Sequence, residues 1–348
     1  MTRFFLSFIL VSTLFACGKK NTNTIENTTL KTDILHHVAY KVCAASYTEM
    51  YHKALSLEQS INTLQTTPTQ NNLLACRDAW KQVRETWETT ESWLFGPISA
   101  NNIDPRIDTW PVDFVAIDSV LASPVIFTDS YMQSLDDALK GFHPIEYFMW
   151  GANGNKLASD FTPRQFEYLQ ALSKNLRILC EEVNSTWVNG YADELAKAGN
   201  GSTTYSNINS AYIEIVDAMS GICDEVANGK INDPFLAQDP LLEESPFSKN
   251  SIVDFTKNID GVMVIYQGYF NTDGLGVEDL VRQYNTSLDL SIKQAHGEAI
   301  NALQAVTLPF GEAIISQPVL VQNAIHKINA LHVVLDTKLK PFLQQYAK

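Results

Sequence analysis

The hexapeptide Gly141-Phe142-His143-Pro144-Ile145-Glu146 sets an imidazole and a carboxylate three residues apart. On a helix that spacing projects both to one side. An imidazole nitrogen and a carboxylate oxygen so placed can ligate a divalent metal such as zinc or iron, provided that a third ligand comes from elsewhere. The same residues also read as a helix start. With Pro144 at the first helical position, His143 is the N-cap and Glu146 the N3 residue of a capping box, where its charge suits the helix dipole. Spacing alone leaves both readings open.

Glu91 bears on the choice. It lies one helical turn after Trp87, beside an apolar stripe, so its carboxylate is directed toward a helical interior. A carboxylate there is costly unless it is paired or ligated. Arg84, one turn before Glu88 and two before Glu91, offers the competing account, a structural salt-bridge network. Asp104, Asp108 and Asp113 are further carboxylates near this end, in a stretch where aspartates commonly serve turns and caps. The remaining histidines, His36, His37, His52, His296, His326 and His332, sit at helical spacing and read as surface or hydrogen-bonded residues. No HExxH pair, Gly-x-Ser-x-Gly elbow or phosphate loop is present.

The elements that must position these residues are helices. Leu73, Cys76, Trp80, Val83, Trp87 and Leu94 recur at helical steps, as do Phe166, Leu169, Leu172, Leu176, Leu179 and Val183. The runs Ile252 to Tyr269 and Ile325 to Phe342 repeat the pattern, and strand-like alternation is scarce. An all-α protein of two helical bundles is expected, the first over 30–198 and the second over 202–348, each with room for four long helices. Turns are expected at Thr66-Thr67-Pro68, Gly96-Pro97, Ser123-Pro124, 151–154, 199–201, Asp233-Pro234 and Asp273-Gly274. Residues 229–246, with three prolines, read as a long non-helical connection. Residues 95–121 mix Gly, Pro, Asp and aromatics and cannot form one regular helix. Such a connection is either functional or a structural lid over the bundle end.

The N-terminal end reads as an export signal. Arg3 precedes an apolar run too short to span a bilayer, and the run closes on Leu14-Phe15-Ala16-Cys17. Residues 1–17 are expected to be a lipoprotein signal peptide, with Cys17 lipidated, and 18–29 a flexible polar tether. The chain would then be exported and lipid-anchored to the cell envelope. Gly18, where aspartate often marks inner-membrane retention, points to the outer membrane, on its periplasmic side or at the cell surface. With 25 basic and 39 acidic residues the net charge is −14, which argues against nucleic acid as a partner. Cys43, Cys76, Cys180 and Cys223 lack CxxC spacing; they are either buried thiols or up to two disulfides.

The ordered set Arg84-x-x-Trp87-x-x-x-Glu91-x-x-x-Phe95-Gly96, Ile103-Asp104, Asp108 to Asp113 (DTWPVD) and GFHPIE resembles the imelysin family, whose GxHxxE motif stands here without departure. Ser245-Pro246-Phe247-Ser248-x-Asn250-Ser251-x-x-Asp254 and Asn258-Ile259-x-Gly261 resemble that family's later block. The resemblance implies two helical bundles with a cleft between them. It makes His143 and Glu146 the motif pair, Glu91 the third metal ligand and Ser248 a cleft residue from the second bundle, with Arg84, Asp104 and Asp113 around them. It also implies a link to iron, since members are iron-regulated or sit in iron-uptake systems, and a founding activity described as a metallopeptidase. The expected function is therefore an envelope lipoprotein binding a divalent metal, iron or zinc, or a small metal-bearing ligand, in concert with iron-transport components. The alternative is a metal-dependent peptidase with Glu146 or Asp113 as base.

Overall fold

The computed structural model describes residues 22–348, so the expected signal peptide and Cys17 lie outside the described residues. The first helix, α1, runs Thr22–His37, passes through a π-helical turn, Val38–Cys43, and continues as Ala44–Thr66. It thus enters the stretch expected to be a tether, because no glycine or proline separates Thr22 from His37. Helix α2, Gln70–Thr90, starts where the Thr69 hydroxyl accepts from Asn72 N and ends in a 3-10 turn, Glu91–Trp93. Its stripe of Leu73, Cys76, Trp80, Val83 and Trp87 is wholly buried, and each of the larger side chains contributes about 1.5–3 kcal/mol of burial. Short helices come next, among them α3, Ile103–Asp108, and α4, Phe142–Trp150. Helix α5, Pro163–Thr186, opens on a Thr162/Gln165 capping box and extends through a π turn, Trp187–Tyr191, to Ala192–Ala196.

In the second half, α6 runs Ile208–Asp224, then through a π turn, Glu225–Ile231, into Asn232–Ala237. Helices α7, Ser251–Gln267, and α8, Thr286–Gln304, precede α9, Pro318–Val334, which also has a π turn, Leu335–Leu339, before Lys340–Tyr346. The expected break at Asp233-Pro234 is therefore helical. Pro234 stands just after the π turn, which has already interrupted the regular α-helical hydrogen bonding, and the non-helical connection is shorter than 229–246.

Helix α1 packs on α2 and α5 to form the first bundle, with short helices in place of a fourth long one. In the second, α9 packs on α6 and α8, and α7 on α8. Helix α7 also crosses α2, where a Cβ on Gly261 would lie 2.2 Å from the Thr89 carbonyl oxygen. Only glycine allows that approach, which brings Asn258 and Asp254 against the buried face of α2. One continuous apolar core spans both halves. Among the described residues no strand occurs, and no helix is long and apolar enough to cross a membrane. Cys43, Cys76, Cys180 and Cys223 are buried free thiols, so no disulfide joins them.

Candidate functional site

Helix α4 begins two residues earlier than a capping box requires. Its N-cap is Gly141, at φ 83°, and no side chain caps it. A Cβ on Gly141 would lie 2.1 Å from the Ile107 carbonyl oxygen, so the glycine lets α4 abut α3. That contact sets Asp108, at the end of α3, beside His143. The capping-box reading of His143 and Glu146 fails for this reason, and the shared-face reading holds: His143 Nδ1 is 3.5 Å from Glu146 Oε2, with both side chains buried. His143 Nε2 lies 3.0 Å from Asp108 Oδ1, close enough for an ion pair, but neither ring nitrogen meets hydrogen-bond geometry. Trp110 packs edge-on against the imidazole, 5.0 Å between ring centres.

Arg84 stands at the centre, wholly buried under the ring of Phe142. Its guanidinium pairs with Asp108, with Glu88 Oε1 at 2.6 Å and with Glu244 Oε1 at 2.7 Å, and approaches Asp254 at 3.7 Å. Trp87 Nε1 donates to the other Asp108 oxygen at 2.7 Å. Lys230, carried inward by the π turn of α6, bonds Glu91 Oε2 at 2.6 Å and Glu244 Oε1 at 2.9 Å. From α7, Asn258 Nδ2 donates to Glu88 and Glu91 at 2.7 and 2.6 Å. Beyond His143, Glu146 Oε1 accepts from the Ser248 amide at 2.7 Å and its hydroxyl at 2.5 Å. The first bundle thus supplies α2, with its 3-10 extension, α3 and α4, and the second half of the chain supplies the remaining partners.

The charges do not balance. Glu88, Glu91, Asp108, Glu244 and Asp254 face two permanent cations, Arg84 and Lys230. Burial pushes Glu88 up to about 8 despite Arg84, and Asp254 up to about 7. Burial and the neighbouring Glu88 charge hold Glu91 well above the usual carboxylate range. Asp108 goes the other way: burial opposes its charge, but Arg84 and His143 hold it well below that range. Burial also works against a His143 cation, yet Asp108 and Glu146 outweigh it and raise the imidazole to about 9. Protons thus stand in for missing positive charge.

The donor set fits a divalent metal. The carboxylate oxygens of Glu88, Glu91 and Asp108 gather within 4.8 Å of one another, and His143 abuts them through Asp108. Carboxylate and imidazole donors suit iron, manganese or zinc. His143 Nδ1 and Nε2, Glu146 Oε2 and Glu244 Oε2 are buried without hydrogen-bond partners among the described residues. A cavity of about 400 Å³ opens onto this group, lined by Glu91, Asp104, Asp108, His143, Lys230 and Glu244 among others.

Of the expected residues, Arg84, Glu91, Asp104, His143, Glu146 and Ser248 come together here, although Glu91 joins Glu88 and Asp108 and not the His143/Glu146 pair directly. Burial and the Asp108 charge raise Asp104 to about 6. Asp113 does not belong: it is exposed and caps the helix Phe114–Ala122 by accepting from Ala116 N at 2.9 Å. Lys230 and Glu244 were not expected, and Asp254 and Asn258 were marked only by the later block.

An all-helical chain with a buried, carboxylate-rich site between two bundles is the class that the geometry defines. The Imelysin family profile matches residues 43–337, and the chain belongs to that family. It is 30% identical, over 96% of its length and 91% of the relative's, to "Iron-regulated protein A" of Synechococcus elongatus. Its fold is that of a crystal structure of a candidate iron-regulated protein A precursor from Parabacteroides distasonis (TM-score 0.84, 22% identity, 92% of this chain and 96% of that one). An imelysin-like protein from Psychrobacter arcticum shares it at TM-score 0.74 and 14% identity, over 91% and 96%.

Proposed function

We propose that this protein is a cell-envelope binder of a divalent metal ion, iron above all, or of a small metal-bearing ligand. The observation that carries the reading is the excess of buried carboxylates over Arg84 and Lys230 at the point where three of them converge. A buried surplus of negative charge is held either by protons or by a cation. Glu88, Glu91 and Asp108 would hold the ion with His143 beside them, and Glu146, fixed by Ser248, would orient the imidazole. The metal supplies the positive charge that the carboxylates lack. The name of the cyanobacterial relative supports iron as the cargo. A lipid on Cys17 would keep the domain at the envelope, at the outer membrane, where iron-transport components could receive the ion.

Binding fits these residues better than peptide hydrolysis. Asp113 is an exposed helix cap, and Glu146 is not among the residues that line the cavity, with Oε1 held by Ser248 and Oε2 3.5 Å from His143 Nδ1, so neither stands as a general base facing that cavity. The test is the metal content of the protein lacking residues 1–17, by mass spectrometry after loading with ferrous iron or zinc. One metal per chain, lost in both His143→Ala and Glu91→Ala, is expected. A wild-type protein that takes up no metal overturns the reading.

A further inference from the structure

The two cations of the cluster are held very differently. Arg84 has no exposure, lies under the Phe142 ring among Asp108, Glu88, Glu244 and Asp254, and does not line the cavity of about 400 Å³. Lys230 does line it, and its side chain is 12% exposed. Its Nζ donates to Glu91 Oε2 at 2.6 Å and to Glu244 Oε1 at 2.9 Å, and it reaches Glu88 Oε2 at 3.5 Å. An ammonium has three donors and no acceptor, and here three carboxylates surround it. Two of them, Glu88 and Glu91, are the ones that converge with Asp108. The lysine therefore draws on the same oxygens that a bound metal ion would need.

A way out is open to it. Gly229, the neighbour of Lys230 in the π turn, lines the same cavity, and a Cβ there would meet nothing within 4 Å. Glu225 and Asp233 line the cavity as well. Both are exposed, and neither forms an ion pair among the described residues. Asp233 is three residues beyond Lys230, a separation at which side chains along a helix meet. Lysine carries its charge on a flexible four-carbon stem, whereas the planar guanidinium of Arg84 is fixed from several sides. The ammonium can thus trade inner carboxylates for partners at the water-exposed rim.

We infer that Lys230 is a tethered stand-in for the metal ion, and that a divalent cation binds by displacing its ammonium toward Glu225 and Asp233. The inference rests on the metal reading of this site and adds the residue that sets its selectivity. Like charges drawn to the same carboxylates repel one another, so ammonium and metal exclude each other there. Exchanging the ammonium for a divalent ion adds one positive charge to a cluster that is short of it. A monovalent cation adds none, and it competes with a partner that the chain keeps permanently close at hand. Lys230 thereby reserves the site for divalent ions.

The test is acetylation of lysines on the intact chain by an N-hydroxysuccinimide ester, with and without zinc or ferrous iron, read residue by residue by mass spectrometry. Lys230 is expected to react about tenfold faster or more once metal is bound, because its ion pairs are gone. Lys249, half exposed in its pair with Glu312, should keep its rate and serves as the internal control. Lys230→Met keeps the stem without the charge, and Lys230→Gln keeps a donor; each is expected to bind zinc about tenfold more tightly than wild type in a chelator competition. Unchanged or slower labelling of Lys230 in metal-loaded wild type overturns the inference and leaves the metal reading standing, as does equal or weaker binding in both variants. Should neither variant fold, the labelling of wild type decides alone. Absence of metal uptake by wild type with either ion overturns the metal reading, and the inference falls with it.

Discussion

Near Tyr266 in the second bundle, Glu278, Asp279 and Asp289 surround Arg282 and Lys293, and this cluster contrasts with the one between the bundles. Lys293 reaches Glu278 at 2.8 Å and Asp289 at 3.0 Å, Arg282 reaches Asp279 at 2.7 Å, and the Tyr266 hydroxyl donates to Asp289 at 2.9 Å. Its cations remain in contact with water, with Arg282 and Lys293 side chains 47% and 31% exposed. Between the bundles, Arg84 is wholly buried and Lys230 is 12% exposed. Glu278 and Asp289 are themselves only 10% and 7% exposed, but the cations that pair them reach water, as does Asp279 at 21%, so hydration offsets the surplus charge there. The same surplus in the interior takes up protons, and it can exchange them for a cation. The contrast separates a cluster that braces two helices from one poised to bind.

The largest expected effect comes from removing the central cation on each side. Arg84→Ala leaves Asp108, Glu88 and Glu244 uncompensated in the interior and is expected to cost about 3–5 kcal/mol in denaturant unfolding. Arg282→Ala should cost under about 1 kcal/mol in the same assay, because its pairs are half in water. Equal losses would erase the distinction between the clusters.

Ligand stabilisation is next. Ferrous iron or zinc at a hundredfold excess over its dissociation constant should stabilise wild type by roughly 2.7 kcal/mol, read as a rise in melting temperature. Glu91→Ala should lose that gain, whereas Glu278→Gln in the contrasting cluster should keep it. A gain that vanishes in Glu278→Gln would assign the metal to the wrong cluster.

The pH dependence of the metal-free protein sharpens the difference further. Glu88, raised by burial to about 8, keeps its proton in the folded state over a range where the unfolded chain, with a glutamate pKa of about 4.3, has released it. The folded state then binds more protons, so stability is fully present below the unfolded pKa and declines as pH rises toward 8, by about 1 kcal/mol per pH unit for one such group. Unfolding measured from pH 5 to 8 should show that decline in wild type and a shallower one in Glu88→Gln. A flat wild-type profile would mean that the carboxylates are ionised and otherwise balanced.

Among changes to the cluster between the bundles, Ser248→Ala should have the smallest effect, about 1–2 kcal/mol, since the Ser248 amide still donates to Glu146 after the hydroxyl is gone. Metal affinity measured alongside would show whether the clasp on Glu146 also steadies His143.

Much of this architecture was legible in the chain. The stripe from Leu73 to Trp87 and that from Phe166 to Val183 are buried as their spacing requires, and the Gly and Pro cluster of 95–121 does break into short helices. His143 and Glu146 stood out by their three-residue spacing, Glu91 by its place beside the apolar stripe, and Arg84 as a partner one and two turns before Glu88 and Glu91. Lys230 and Glu244 did not. Both lie in residues 229–246, whose glycine and prolines read as loop, and no periodicity reveals that a π turn rotates Lys230 into the cavity. Asp113 and Asp108 share one aspartate-rich stretch, and only the meeting of α3 with α4 at Gly141 decides which is in the site and which is a cap.

The π turn of α6 confines a change of length to one place in the helix. A π turn holds one residue more than an α-helical turn, so removing a single residue from Glu225–Ile231 and closing it into regular helix would leave the residues after Ile231 in phase with those before Glu225. The extra residue acts inside the turn itself, where Lys230 meets Glu91 and Glu244. Here the count of residues carries information that their identities do not: one residue more than an α-helical turn requires is spent at the site, and the packing of both flanking helices is left as it was.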